Sequence, residues 1–256
     1  MAYRSSSSGG GIGGLTLALM LKKFARDKQV VVDLYEANAA FTEIGAGINV
    51  WHRPQHILRQ LGLDEGLAKS SISPPMRIRK SDTPEGYPFH ELRAPGKPLE
   101  ISISTAIPIF FEIMETGSIN PVTLPRREML NLLLEGLKSN TTESDDLITT
   151  HFAKRLVGYE QDSAGVTLNF QDGSSAKAHV LVGADGIGSS ARKAMYTRLA
   201  EQVQATDPAL ADDLMMNGSP IWAGVYIYRF LVDANKIREI EPSHIVLEQS
   251  IAVSPP

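Results

Sequence analysis

The chain has 256 residues, 43% of them hydrophobic and 21% charged, with a formal net charge of −4 and no cysteine. Such a chain suits one large domain or one and a half with a sizeable buried core, and its charge offers no electrostatic case for nucleic acid. The lack of cysteine excludes disulfides, thiolate metal sites and a thiol nucleophile, and agrees with a cytoplasmic location.

The first signal is Gly9-Gly10-Gly11-Ile12-Gly13-Gly14. Gly9, Gly11 and Gly14 read G-x-G-x-x-G and open an apolar helical run through Leu15, Leu17, Ala18, Leu19 and Leu21. In such a motif the first glycine allows a tight turn, the second lets a pyrophosphate approach the backbone, and the third lets helix and strand pack closely. The free N–H groups and positive dipole end of the helix then favour phosphate. The apolar run over 15–21 is too short to span a bilayer, and no charged-then-apolar leader precedes it, so no membrane segment is expected.

Gln29-Val30-Val31-Val32-Asp33-Leu34-Tyr35-Glu36 follows, a buried parallel strand ending in an acid at the distance where a carboxylate takes ribose hydroxyls. What precedes the glycines departs from the motif: Ser5-Ser6-Ser7-Ser8 stand where a hydrophobic central strand belongs. Serines supply little of the burial that a central parallel strand needs. Four missing aliphatic side chains, each worth about 1.5–3 kcal/mol, would rival the whole stability of a domain. The start is thus altered from its ancestor, misread from the gene, or built as a poorer strand.

Residues 38–48 form a loop with a second glycine pair, Gly45 and Gly47, and Pro54 begins a helix with Ile57, Leu58 and Leu61 on one face, closed by Gly62. His52 and His56 are surface residues at that helix start, since Pro54 lies between them and no acidic third ligand is near. Over 75–120 the chain turns irregular and proline-dotted, with strands at 76–80 and 99–103, an inserted sheet region covering a pocket. A helix follows from Leu124-Pro125-Arg126-Arg127, with Leu130, Leu133, Leu134 and Leu137 on its apolar face. Arginines at a helix entrance oppose the dipole, and a bound phosphate or ribityl chain would account for them.

Residues 152–182 read as a strand meander, turning at Asp162-Ser163-Ala164-Gly165 and at Asp172-Gly173. Val180-Leu181-Val182 then runs into Gly183-Ala184-Asp185-Gly186-Ile187-Gly188-Ser189-Ser190-Ala191-Arg192.

From Gly9 to about Val232 the chain resembles the class A flavoprotein monooxygenases, especially the salicylate hydroxylase-like group. Four segments carry the resemblance, in the right order. Gly9, Gly11, Gly14 and Glu36 match the dinucleotide fingerprint, and Ile44-Gly45-Ala46-Gly47-Ile48 matches the glycine-rich loop. Arg127 matches the arginine of a His-Arg-x-x-Leu helix start, with the histidine replaced by Arg126. Asp185, Gly186, Ser189 and Arg192 complete D-G-x-x-S-x-x-R, which the family uses at both FAD and NAD(P)H.

The resemblance implies an α/β fold: a Rossmann-like FAD-binding domain of glutathione-reductase type, with a β-meander, interleaved with a partial β-sheet substrate domain. Residues 1–74 and 121–204 would bind FAD, 75–120 would belong to the substrate domain, and 205–256 would be partial substrate domain and divergent tail. It implies FAD as cofactor, NAD(P)H as co-substrate, and hydroxylation or epoxidation of an aromatic or polycyclic small molecule by dioxygen. Cofactor contacts would fall on Gly9, Gly11, Gly14, Glu36, Ala46, Gly47, Arg127, Asp185 and Gly186, and the catalytic roles on Arg192 and Tyr228.

The family's second Gly-Asp motif has no counterpart, since no Gly-Asp pair occurs in the chain, and the tail from Gln249 onward matches nothing in the family. Exposed strand edge and apolar surface are the expected consequence. The alternative to an active monooxygenase is therefore a catalytically silent, FAD-binding relative.

Overall fold

The structure, a computed structural model, describes residues 3–25, 28, 30–41, 47–70, 76–80, 88–92, 122–139, 147–224, 226, 232–247 and 250–254. In chain order the first elements are β1 (Tyr3–Ser8), α1 (Ile12–Phe24), β2 (Val30–Tyr35), β3 (Gly47–Val50), α2 (His52–Leu61) and α3 (Asp64–Ser70). There follow β4 (Met76–Lys80), β5 (Pro88–Leu92), β6 (Val122–Pro125), α4 (Arg126–Ser139) and β7 (Ile148–His151). The rest are β8 (Leu156–Asp162), β9 (Gly165–Phe170), β10 (Ser175–Ala178), β11 (Val180–Gly183), α5 (Ser190–Val203), α6 (Pro208–Asn217), α7 (Ala234–Ile240) and β12 (Ser250–Ser254).

The chain divides into two compact units, one of Met1–Ile44, Leu61–Leu63 and Arg127–Ile227, the other of Gly45–Gln60, Asp64–Arg126 and Tyr228–Pro256. The first holds a parallel sheet in the order β11-β1-β2-β7, the mark of crossover connections. Leu15, Ala18 and Leu34 are fully buried where α1 meets β2. Gly136 of α4 comes so close to Leu19 and Leu63 that a Cβ there would lie 3.0 Å from Leu63 and 3.3 Å from Leu19. The three-stranded antiparallel meander β10-β9-β8 contributes Leu156, Val166, Leu168 and Phe170 to a second core shared with Tyr35. Each of these side chains contributes about 1.5–3 kcal/mol by burial.

The serine segment takes the third of the expected forms, a poorer strand. Ser5–Ser8 form a central strand between β11 and β2, with Ser6 and Ser7 wholly buried. The ladder hydrogen bonds on both sides hold the strand in place, so serines are accepted where aliphatic residues were expected. Their hydroxyls bear the cost: Ser6 Oγ and Ser7 Oγ are buried without a hydrogen-bond partner. Burial, and after it the Asp33 carboxylate, push the Tyr35 phenol above its usual range, and the nearby Ser6 hydroxyl offsets part of that rise. Ser6 does so without reaching good hydrogen-bond geometry. Asp33 itself is buried and bound across the sheet by Arg4 Nη1 at 2.7 Å and His151 Nε2 at 2.8 Å.

Both expected meander turns are present. Asp162 Oδ1 accepts from Ala164 N and Gly165 N, and Asp172 Oδ1 accepts from Ser174 N and Oγ. In the second unit β3 pairs antiparallel with β6, so Gly47 opens a strand rather than sitting in a loop. Gly62 ends α2 with φ +81°, as its sequence position predicts, but Ile57 is 41% exposed while Leu58 and Leu61 are buried, so the apolar stripe is narrower than expected. His52 and His56 are exposed on that helix. The strand at 76–80 is present and pairs with β5, which the sequence did not announce, and 99–103 lie outside the described residues. The tail is a strand: β12 runs parallel to β4. Among the described residues Ile221, Trp222 and Tyr226 are exposed, at 81%, 61% and 75%.

Candidate functional site

The glycine motif and the Asp-Gly motif, far apart in sequence, meet at the C-terminal ends of β1, β2 and β11. The register pairs Ser8 with Gly183 on one side and with Tyr35 on the other. Ala184 N donates to Ser8 O at 2.7 Å and Gly9 N to Tyr35 O at 2.8 Å. In open α/β sheets this edge is where ligands bind.

The glycines are required by space. Gly9 has φ +106°, and a Cβ on it would lie 2.3 Å from the Ala184 carbonyl oxygen. A Cβ on Gly14 would lie 1.9 Å from the Gly9 carbonyl oxygen and 3.1 Å from Leu34. Gly11 is the N-cap of α1, with no side-chain cap and no acidic residue in the first turn. The first turn of the helix itself therefore supplies neither a cap nor a counter-charge to its N–H groups and positive dipole end.

Glu36 stands at the end of β2, nearly buried, and is already partly engaged. Its Oε2 accepts from Gly10 N at 2.9 Å, and its Oε1 accepts from Asn38 N at 2.9 Å and Asn38 Nδ2 at 2.8 Å. A carboxylate offers about four acceptor positions, so among the described residues one on Oε2 is left without a donor. Gly10 and Asn38 are the site residues that the sequence reading missed. A Cβ on Gly10 would sit 2.8 Å from both Glu36 Oε2 and Phe41 Cε1, and the uninterrupted triplet Gly9-Gly10-Gly11 was the available signal.

The Asp-Gly loop folds on itself. Asp185 Oδ1 accepts from Ser189 Oγ at 2.5 Å and its Oδ2 from Ala191 N at 3.1 Å, while Ser189 Oγ caps α5 by accepting from Arg192 N at 2.9 Å. Gly186 has φ +78° with open space around it, and Gly183 is crowded by Ala191, 2.8 Å from where its Cβ would be. The Arg192 guanidinium donates through Nη2 to Ile187 O at 2.5 Å, and its Nε is buried without a partner.

The other expected residues are placed as follows. Arg127, in the first turn of α4, is half exposed with Nε 3.4 Å from Glu128 Oε1. A Cβ on Gly47 would meet Leu124 O at an ordinary 3.7 Å, so the fold does not demand glycine there. Ala46 and Tyr228 lie outside the described residues. Among the described residues no cluster of histidine, aspartate or glutamate could hold a metal, and no helix is long and apolar enough to cross a membrane.

A turn so tight that Gly9 and Gly14 admit no Cβ, a carboxylate at the end of β2 and a helix N-terminus without a side-chain cap fit a dinucleotide such as FAD. The comparison with known families decides the matter: the model of an FAD binding domain matches residues 8–230. The chain belongs to the FAD binding domain family. It is 35% identical over 241 residues to the FAD-dependent monooxygenase str9 of Strobilurus tenacellus, covering 92% of this chain and 47% of that one. Salicylate hydroxylase of Pseudomonas putida is 27% identical across 99% of this chain and 49% of its own length. The chain thus spans about half the length of these curated relatives. Among solved structures, Klebsiella pneumoniae HpxO complexed with FAD and uric acid aligns with a TM-score of 0.52 at 27% identity, covering 74% of this chain and 41% of that one. The Rossmann-like α/β architecture of this family is the fold described above.

Proposed function

We propose that this chain forms the flavin-binding core of a monooxygenase that uses NAD(P)H and dioxygen to hydroxylate or epoxidise an aromatic or polycyclic small molecule. One observation carries the reading: the glycine cradle, Glu36 and the Asp185 loop converge at one sheet edge, with no room for a Cβ at Gly9 or Gly14. FAD, when bound, supplies the redox and oxygen chemistry, and the protein's part is to bind, orient and exclude water.

In this reading the backbone of Gly9, Gly11 and Gly14 and the N-terminus of α1 hold the pyrophosphate, and Glu36 takes a ribose hydroxyl at its free acceptor position. Asp185 and Gly186 approach the ribityl side, where Gly186 leaves open space. Ala46, Gly47 and Arg127 are further cofactor contacts, and Arg192 and Tyr228 are the candidates for work beside the flavin and substrate. The aromatic substrate class is supported by relatives named for 6-methylsalicylate, urate and salicylate.

A second reading, an FAD-holding relative without turnover, is favoured by the Arg192 guanidinium, which is oriented by a hydrogen bond from Nη2 to the Ile187 carbonyl of its own loop. One experiment separates the two. The purified chain is incubated with FAD, stripped of free flavin by gel filtration, and its visible spectrum taken. A retained band near one equivalent supports flavin binding, and a colourless soluble protein refutes it. Flavin that NAD(P)H then bleaches, with oxygen uptake stimulated by salicylate or urate, supports the monooxygenase; retained flavin inert to NAD(P)H supports the second reading.

A further inference from the structure

The meander has an open edge. β8 pairs with β9 on one side and, among the described residues, with no strand on the other. Along that edge, between β8 and α5, runs a groove of about 800 Å³ whose strand wall is the unbroken run from Val157 to Gln161. An edge strand carries unpaired N–H and C=O groups and is a template for another strand unless lysine, proline or a cover blocks it. β8 contains neither lysine nor proline. Its one irregularity, a bulge at Val157, leaves that side chain 55% exposed, and a Cβ on the neighbouring Gly158 would meet nothing within 4 Å.

The other wall is one face of α5, through Lys193, Thr197 and Glu201, one turn apart. The helix runs in the same direction as β8, because Ala191 shares the core cluster of Leu156 while Arg198 Nη1 donates to Gln161 Oε1 at 3.2 Å. Lys193 therefore stands toward the start of the strand and Glu201 toward its end. Both are exposed, and neither is in an ion pair among the described residues.

A two-fold axis through the middle of this groove reverses the order of both walls. With Tyr159 on the axis, β8 meets itself antiparallel and Glu160 of one copy stands beside Gly158 of the other, so no acid opposes an acid. The same rotation, centred on Thr197 of α5, brings Lys193 of each copy toward Glu201 of the other. We propose that a second copy of this chain occupies the groove, β8 against β8, with the two meanders continuing as one antiparallel sheet and the two Lys193–Glu201 contacts fixing the register. This matching of charge under the rotation is what favours a second copy over an unrelated strand. The proposal does not depend on flavin binding.

The test is sedimentation of the full chain over a concentration series, with Lys193→Glu, Glu201→Lys and the double variant beside it. Each single change replaces two attractive contacts by two repulsive ones and should raise the dimer dissociation constant roughly 10- to 100-fold. The double variant restores opposite charges and should return the constant to within about threefold of the parent. Both side chains are exposed, so the variants should fold, and circular dichroism checks that they do. Amide hydrogen exchange in residues 156–162 should also slow as concentration rises. A parent that stays monomeric at every concentration overturns the proposal. So does a dimer that neither single variant weakens, a double variant as weak as the single ones, or exchange in β8 that ignores concentration.

Discussion

Ser7→Ala should make this protein more stable, against the usual direction for a buried substitution. Ser7 is at 0% exposure in the central strand β1, and its hydroxyl oxygen has no hydrogen-bond partner. A buried, unsatisfied polar group carries a desolvation penalty of about 1–3 kcal/mol. Alanine removes that group, forfeits only the small dispersion contacts of one oxygen, and leaves the ladder to β2 and β11 untouched. The net gain should be about 1 kcal/mol, which for a domain of this size raises Tm by about 2–4 °C. Ser6→Ala should gain a similar amount, because the Ser6 hydroxyl is likewise buried without a hydrogen-bond partner. Urea unfolding followed by circular dichroism is the assay, with the exposed Ser219 changed to alanine as the control. A higher midpoint with an unchanged slope supports the reasoning. An unchanged or lower midpoint for Ser7→Ala would mean that the hydroxyl has found a partner such as a buried water, and the account of β1 as a penalised strand would fail.

Gly14→Ala places a methyl 1.9 Å from the Gly9 carbonyl oxygen and should cost at least about 3 kcal/mol together with flavin retention, whereas Gly47→Ala, with ordinary contacts, should melt within a degree or two of the parent. Ser189→Ala removes both the cap of α5 and a donor to Asp185, and should lower stability by about 1–2 kcal/mol in the same urea assay. Lys154, then the Ser174 hydroxyl and backbone, hold the Asp172 carboxyl well below the usual carboxylate range. A depressed folded-state pKa contributes stability above the unfolded value that is lost as pH falls through the folded one. Asp172→Asn should therefore melt below the parent at neutral pH, with the gap closing only in strong acid; a gap independent of pH would refute the linkage.

The fold was readable in the sequence wherever one residue type served one geometric need. Gly9 and Gly14 marked contacts that exclude a Cβ, Gly62 marked a helix end, and Asp162 and Asp172 marked turns that their own carboxylates close. The reading faltered where partners outside the local sequence decide. Nothing in Ser5–Ser8 shows that strands on both sides will hold it buried, and Ile57 has the same spacing as Leu58 and Leu61 yet stays exposed. β5 and β12 are defined by pairing with β4, which local periodicity does not encode. At the site, Gly10 was passed over because the motif leaves its position free, although its N–H and its lack of a side chain both serve Glu36. The engagement of Asp185 with its own loop is likewise invisible without coordinates.

That engagement bears on how such motifs endure. The aspartate and serine of D-G-x-x-S-x-x-R close their own helix cap, and the arginine clasps the carbonyl of the preceding loop. Selection for a well-formed strand-to-helix junction would by itself preserve all three residues over many generations, with or without a turnover to protect. An intact D-G-x-x-S-x-x-R motif is therefore evidence for an architectural joint, and the chemistry has to be counted separately.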